Sequence, residues 1–113
     1  MEFDQEGSFP QETVNDHVDE AIEDNEVVLF MKGTPMLPQC GYSERAVGLV
    51  QKHRGEFETV NVLASTDEFR TALERHSGRE TIPQTFVDGE FVGGSDVLKR
   101  LDERGELDAT LQA

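Results

Sequence analysis

The chain has 113 residues, 24 of them acidic and 10 basic, giving a formal net charge of −14 and a pI of about 4.4. That length suits one domain with one core, and the charge argues against binding nucleic acid or an anionic membrane surface, since either would repel this one. A lysine-poor, acid-rich surface on an otherwise ordinary domain is the composition expected of adaptation to high salt, where screening removes much of the self-repulsion.

Residues 1–113 are expected to form a single domain, with 1–9 as a flexible polar lead. The lead has no basic segment and no long apolar core, and the longest apolar run is Val27 to Met31, so neither a secretory signal nor a membrane span is expected. Cys40 is the only cysteine. An internal disulfide is therefore excluded, which fits a reducing cytoplasm.

After Pro10, the spacing of Val14, Val18, Ala21 and Ile22 predicts an amphipathic helix that ends in the charged turn "EDNE". "VVLFM" follows as an unbroken run rich in β-formers, the pattern of a strand buried on both faces. Gly33, Pro35 and Pro38 make "KGTPMLPQ" a loop. From Gly41, the residues Tyr42, Ala46, Leu49 and Val50 mark a second helical face running to about His53, and Gly55 stops it. "FETVNVL" reads as a strand, and "STDE" after it as the N-cap of a third helix with Phe69, Ala72, Leu73 and His76 on one side. "TIPQTFVDGEFVGG" holds two β-rich runs joined by Asp88-Gly89, a hairpin with a type I′ turn, and Pro83 stands just before it, where its missing N–H costs no ladder bond. A last helix carries Val97, Leu98 and Leu101 and ends at Gly105. One right-handed βαβ unit, a helix and an antiparallel hairpin give an α/β thioredoxin-like layout: a four-stranded mixed sheet flanked by helices on both faces.

A lone cysteine is in general a small buried hydrophobe. Cys40, however, lies at a loop-to-helix junction, where unpaired N–H groups and the helix dipole stabilise an anion, so a lowered pKa and an exposed, reactive thiolate are expected. His17, His53 and His76 are too scattered to suggest a metal site, and no phosphate loop, EF-hand or serine-nucleophile motif is present.

"KGTP", "PQCGYS", "TIPQTFVDGEFVGGSD" and "RGEL" together resemble the successive blocks of the monothiol glutaredoxins, whose thiol signature is Cys-Gly-Phe-Ser, with Tyr42 here replacing the phenylalanine. The likeness runs from about Asn25 to the end. It implies a groove beside Cys40 for glutathione or a related thiol. By position, Lys32 and Arg70 would hold the ligand's terminal carboxylate, and Thr81, Ile82 and a cis Pro83 would run along its backbone. Gly94, Ser95 and Asp96 would hold the γ-glutamyl group, and Tyr42 would flank the sulfur. Taken singly, Lys32 and Arg70 read as solvated charges and Gly93-Gly94 as a plain turn. Two departures stand out: Arg79-Glu80 replaces the family's frequent Trp-Pro, and Ser95 replaces a frequent second cysteine. The composition also suggests haloarchaea, where γ-glutamylcysteine is the common thiol, so the ligand is left as glutathione or γ-glutamylcysteine.

The resemblance implies two functions for one thiol. The first is binding and transfer of a 2Fe-2S cluster, with Cys40 as metal ligand. A cluster needs four ligands, so two chains and two small thiols would form a cluster-bridged homodimer serving apo iron-sulfur client proteins. The second is thiol-disulfide exchange on mixed disulfides by a monothiol route, because Ser43 cannot resolve the intermediate. A BolA-like protein is a further partner that the family implies.

Overall fold

The computed structural model describes residues 8–112. Its elements in chain order are α1 (Gln11–Asp24), β1 (Val27–Met31), β2 (Gly33–Thr34), β3 (Leu37–Pro38), α2 (Gly41–His53), β4 (Glu58–Asn61), a 3-10 turn (Leu63–Ser65), α3 (Thr66–Ser77), β5 (Gln84–Val87), β6 (Glu90–Gly93), α4 (Ser95–Glu103) and α5 (Leu107–Leu111).

All five residues of β1 are buried, because β1 lies inside the sheet and has helices on both of its faces. It runs parallel to β4, with Val28 opposite Glu58 and Met31 opposite Asn61, and antiparallel to β5, giving the order β4-β1-β5-β6. Side chains alternate across a strand. Val28 and Phe30 therefore join Val14, Val18 and Ile22 of α1 and Phe69, Ala72 and Leu73 of α3 on one face. Val27, Leu29 and Met31 join Ala46, Val47 and Val50 of α2, Leu98 of α4, and Leu107 and Leu111 of α5 on the other. A one-residue slip of β1 would exchange the two sets, so its register is strongly specified. The four-stranded mixed sheet between two helical layers is the thioredoxin-like α/β fold expected from the element order.

The β5–β6 hairpin turns through Asp88 (φ 50°) and Gly89 (φ 81°), the two positive φ values of a type I′ turn. Its ladder shifts register between Thr85 and Phe86, a bulge that raises local twist just before the loop to α4.

Four local expectations change. The segment read as a loop holds the two-residue ladder β2–β3, pairing Gly33 with Pro38 and Thr34 with Leu37. Pro35 falls in its turn and Pro38 in a short exposed strand, the settings that tolerate a missing N–H. Ser65 does cap α3 by position, but its hydroxyl accepts the Phe9 N–H at 2.8 Å rather than one from the helix. Phe9, the last residue of the expected flexible lead, is thereby docked and packs against the core; residues 1–7 lie outside the described set. His76 does share the side of Phe69, Ala72 and Leu73: its ring stands edge-on to Phe86 at 6.3 Å and bonds Asp19 of α1 at 2.7 Å, at the exposed margin of that face. The helix α5 was not expected. A single turn has no periodicity to read, and it is seated by the Leu111 carbonyl accepting from Arg54 at 2.8 Å.

Gly33 has φ +93°, and a Cβ there would lie 2.5 Å from the Leu37 carbonyl oxygen and 2.7 Å from the Gln39 nitrogen. Both are backbone atoms that cannot turn aside. Gly33→Ala is expected to destabilise the domain by about 1–3 kcal/mol, read as a lower midpoint in urea, because it combines a disfavoured φ with a forced shift of β3.

Candidate functional site

The chain leaves β1 at Lys32, makes the β2–β3 hairpin, and returns so that the Gln39 N–H donates to the Lys32 carbonyl at 2.9 Å. The Asn61 side-chain oxygen, at the end of β4, accepts from both Gly33 and Leu63 at 3.0 Å and ties the hairpin to the sheet. This closure delivers Cys40 to the N-cap of α2 in an extended conformation (φ −157°, ψ 147°).

The Cys40 sulfur accepts the Ser43 N–H at 3.4 Å and lies 3.6 Å from the Ser43 hydroxyl oxygen. Ser43 is fully buried, and its oxygen also accepts the Lys32 N–H at 3.0 Å. A hydroxyl has one proton and two lone pairs. With the Lys32 N–H supplying a donor, the proton is free to point at a thiolate. Burial of the sulfur opposes ionisation, but the Ser43 N–H, the Ser43 hydroxyl, the Tyr42 N–H and the charge of Lys32 outweigh it and hold the Cys40 pKa below its ordinary value. Cys40 is partly exposed and free. The segment leading into the thiol and the helical turn after it leave apolar side chains uncovered: Met36 is 95%, Leu37 66% and Tyr42 61% exposed. Tyr42 therefore does not lie on the packed face of α2, as its spacing suggested, but stands on the surface beside the thiol.

Next to Tyr42 runs a groove of about 610 Å³, inside the range of roughly 300–1,000 Å³ usual for small-molecule sites. One wall is Arg79 and Thr81–Pro83, with the Ile82–Pro83 bond cis; the other is Phe91–Val97 with Arg100. Gly94 lets the walls approach, since a Cβ there would come 3.0 Å from the Pro83 carbonyl oxygen. The first turn of α4 opens into the groove without a side-chain cap. Its N–H groups are thus free to meet an anion.

Of the residues singled out in the sequence, Tyr42, Thr81, Ile82, Pro83, Gly94, Ser95 and Asp96 line this groove together. Cys40 and Lys32 are not among the lining residues; Cys40 stands two residues before Tyr42, whose N–H acts on its sulfur, and the charge of Lys32 acts on the same sulfur. Arg70 is not among the lining residues; its guanidinium bonds Asp67 one turn earlier on α3 at 3.1 Å. Sequence reasoning missed Arg100 and noted Arg79 only as a departure. It also missed Gln84, which is fully buried and donates through Nε2 to the carbonyls of Arg79 at 2.8 Å and Thr81 at 2.9 Å, fixing the groove's first wall. A buried amide in the run "QTFV" was the available signal, because such a group must find partners. Other concave surfaces gather at the start of β1 around Asp24–Glu26 and Asp88, away from the thiol. Among the described residues no cluster of His, Cys, Asp and Glu could hold a metal ion, and no helix is long and apolar enough to cross a membrane.

Two expected outcomes follow from this geometry. The rate of Cys40 alkylation by iodoacetamide should rise with pH through a midpoint below the free-cysteine value of about 8.5, and Ser43→Ala should move that midpoint upward. Linkage has the same sign: the thiolate's stabilising contacts act fully above the unfolded-state pKa and fade as pH falls through the folded one. Gln84→Leu leaves two carbonyls without their donor and should cost about 1–3 kcal/mol, with chemical-shift changes concentrated at Arg79–Thr81.

Residues 27–92 match the glutaredoxin family model. A monothiol glutaredoxin of Synechocystis sp., itself uncharacterised, is 43% identical over 95 residues, covering 84% of this chain and 88% of that protein. The mitochondrial monothiol glutaredoxin-5 of Schizosaccharomyces pombe is 41% identical over 98 residues, covering 84% of this chain and 66% of that one. Among solved structures, reduced apo GrxS14 of poplar superposes with a TM-score of 0.74 at 36% identity, over 88% of this chain and 90% of its own. A buckwheat glutaredoxin-glutathione complex superposes with a TM-score of 0.75 at 23% identity, over 89% of each chain, a likeness of fold. With one thiol followed by a buried serine, the sheet and helices of this fold, and relatives of this kind along most of its length, the chain belongs to the glutaredoxin family and to its monothiol branch.

Proposed function

We propose that the groove beside Cys40 takes glutathione or a related γ-glutamyl thiol, and that the protein's main role is to carry a 2Fe-2S cluster between proteins. The observation that carries this reading is Ser43: a buried hydroxyl that supports the Cys40 thiolate occupies the place where a second cysteine would close a disulfide. A poised thiolate with no internal partner is suited to act as a ligand to something exchangeable. The relatives' monothiol type and the glutathione named in the buckwheat complex support the choice of thiol.

Asp96 would pair with the γ-glutamyl ammonium, the open N–H groups at the start of α4 would take its carboxylate, and Thr81–Pro83 would line its backbone. Lys32 would meet the far carboxylate. Arg70 enters only by leaving Asp67, a weak, exposed pair. The donor set fits a cluster only when shared: one thiolate per chain supplies one of four ligands, so two chains and two small thiols are required, in a symmetric dimer. Cys40 would be the protein's ligand, and the exposed Met36, Leu37 and Tyr42 would be covered in that dimer or by a partner such as a BolA-like or apo client protein. With half its ligands exchangeable, the cargo would be held labile.

The second reading rests on the same thiolate. Cys40 would attack the small-thiol sulfur of a mixed disulfide, expelling the protein thiolate, which takes a proton from water. A second small thiol, as thiolate, would then attack the Cys40 mixed disulfide, regenerating Cys40 and leaving the oxidised small-thiol dimer.

Anaerobic reconstitution with iron, sulfide and glutathione or γ-glutamylcysteine separates the readings. Visible absorption that requires both the small thiol and Cys40, is lost in Cys40→Ser, and elutes with a dimer is the expected result. Absence of colour with every thiol, alongside reduction of a mixed disulfide by the apo-protein, would overturn it in favour of exchange.

A further inference from the structure

The groove carries two guanidinium groups that these roles do not use. Arg79 follows α3 and Arg100 lies on α4, helices that pack on opposite faces of the sheet, so the two arginines line the groove from its two sides. Lys52, Arg54, Arg70 and Arg75 each hold a carboxylate at 3.0–3.3 Å. Arg79 and Arg100 are exposed, and their guanidiniums have no partner among the described residues. In a chain with 24 carboxylates, two unpaired guanidiniums facing one groove amount to a local reversal of charge.

Asp96 is the sole carboxylate lining the groove, and Arg100 follows it by four residues on α4. Residues four apart share a helix face. One turn of α4 thus presents an anion, uncapped N–H donors and a cation in succession, which matches the ammonium and carboxylate of an α-amino acid head. Arg79 faces the same space from the opposite wall.

Resting on the reading that a γ-glutamyl thiol occupies this groove, we propose that Arg79 and Arg100 are specificity residues that close on the α-carboxylate of the γ-glutamyl group. Arg100 approaches from α4 and Arg79 from the facing rim, and together they select thiols with an intact amino acid head. Arg79 stands where the family often has tryptophan, so this chain replaces an aromatic edge by a charged one.

The test is calorimetric titration of the reduced protein and of Arg79→Gln and Arg100→Gln at low salt with three ligands. These are glutathione, its glycine ethyl ester, and the α-decarboxylated analogue γ-aminobutyryl-cysteinylglycine. Both arginines are exposed, so neither change touches the core. Each variant should bind glutathione and the ester about tenfold more weakly, as expected for loss of one charge-assisted contact, and should bind the decarboxylated analogue within about twofold of the parent. Equal losses on all three ligands, no loss on glutathione, or a loss that disappears with the ester instead would overturn the clamp. A parent protein that binds none of the three would refute the γ-glutamyl-thiol reading itself, whereas normal binding by parent and variants alike would refute only the clamp.

Discussion

The Ser43 hydroxyl joins three parts of this molecule at one buried point. It accepts the Lys32 N–H as the chain leaves β1, sits in the first turn of α2, and faces the Cys40 sulfur at 3.6 Å. The central strand thereby sets the position of the thiol. Because β1 is packed on both faces and its register is specified by alternate side chains, the sulfur inherits the rigidity of the core although it lies near the surface. The same contact biases the chemistry toward the thiolate, since the hydroxyl proton stabilises a charge on sulfur more than a neutral thiol. A cysteine in this place would permit a disulfide; the serine leaves Cys40 available to external partners.

Charge is distributed to the same end. Between Lys32 and Ser43 the chain has no acidic residue, although acids make up 24 of its 113 positions. Like charges near a thiol raise its pKa, so a molecule with a net charge of −14 must keep carboxylates away from Cys40 if the thiolate is to persist near neutrality. Within that stretch the uncovered side chains are apolar: Met36, Leu37 and Tyr42 stand exposed. Four of the acidic side chains, Glu23, Asp24, Glu26 and Asp88, line a separate concavity at the start of β1. This monothiol glutaredoxin thus carries its thiol in an acid-free stretch of a strongly acidic chain.

The sheet was legible because its signals are local and redundant. "VVLFM" could only be a strand buried twice, and Asp88-Gly89 between two β-rich runs has one favoured geometry. The thiol's setting was legible for the same reason: a proline-broken loop running into an amphipathic helix puts Cys40 at a helix start. The unread parts depend on distant partners. The docking of Phe9 on Ser65, the β2–β3 ladder tied by Asn61, and the anchoring of α5 by Arg54 join residues far apart in sequence. Within the groove, the segment Thr81–Pro83 and the turn Gly94–Asp96 were found through resemblance, whereas Gln84 and Arg100 act through contacts or placement that the resemblance did not include. Arg70 is the opposite case. Position alone suggested a ligand contact, and the nearer Asp67 has its charge.

The most direct measurement is an NMR titration of the reduced, ¹⁵N-labelled protein with glutathione, following each amide. Saturable shifts are expected at Tyr42, Thr81, Ile82 and Gly94–Val97, with Asp24–Glu26 and Asp88 unmoved. Shifts confined to the acidic end, or none at millimolar ligand, would mean that the groove does not hold the thiol.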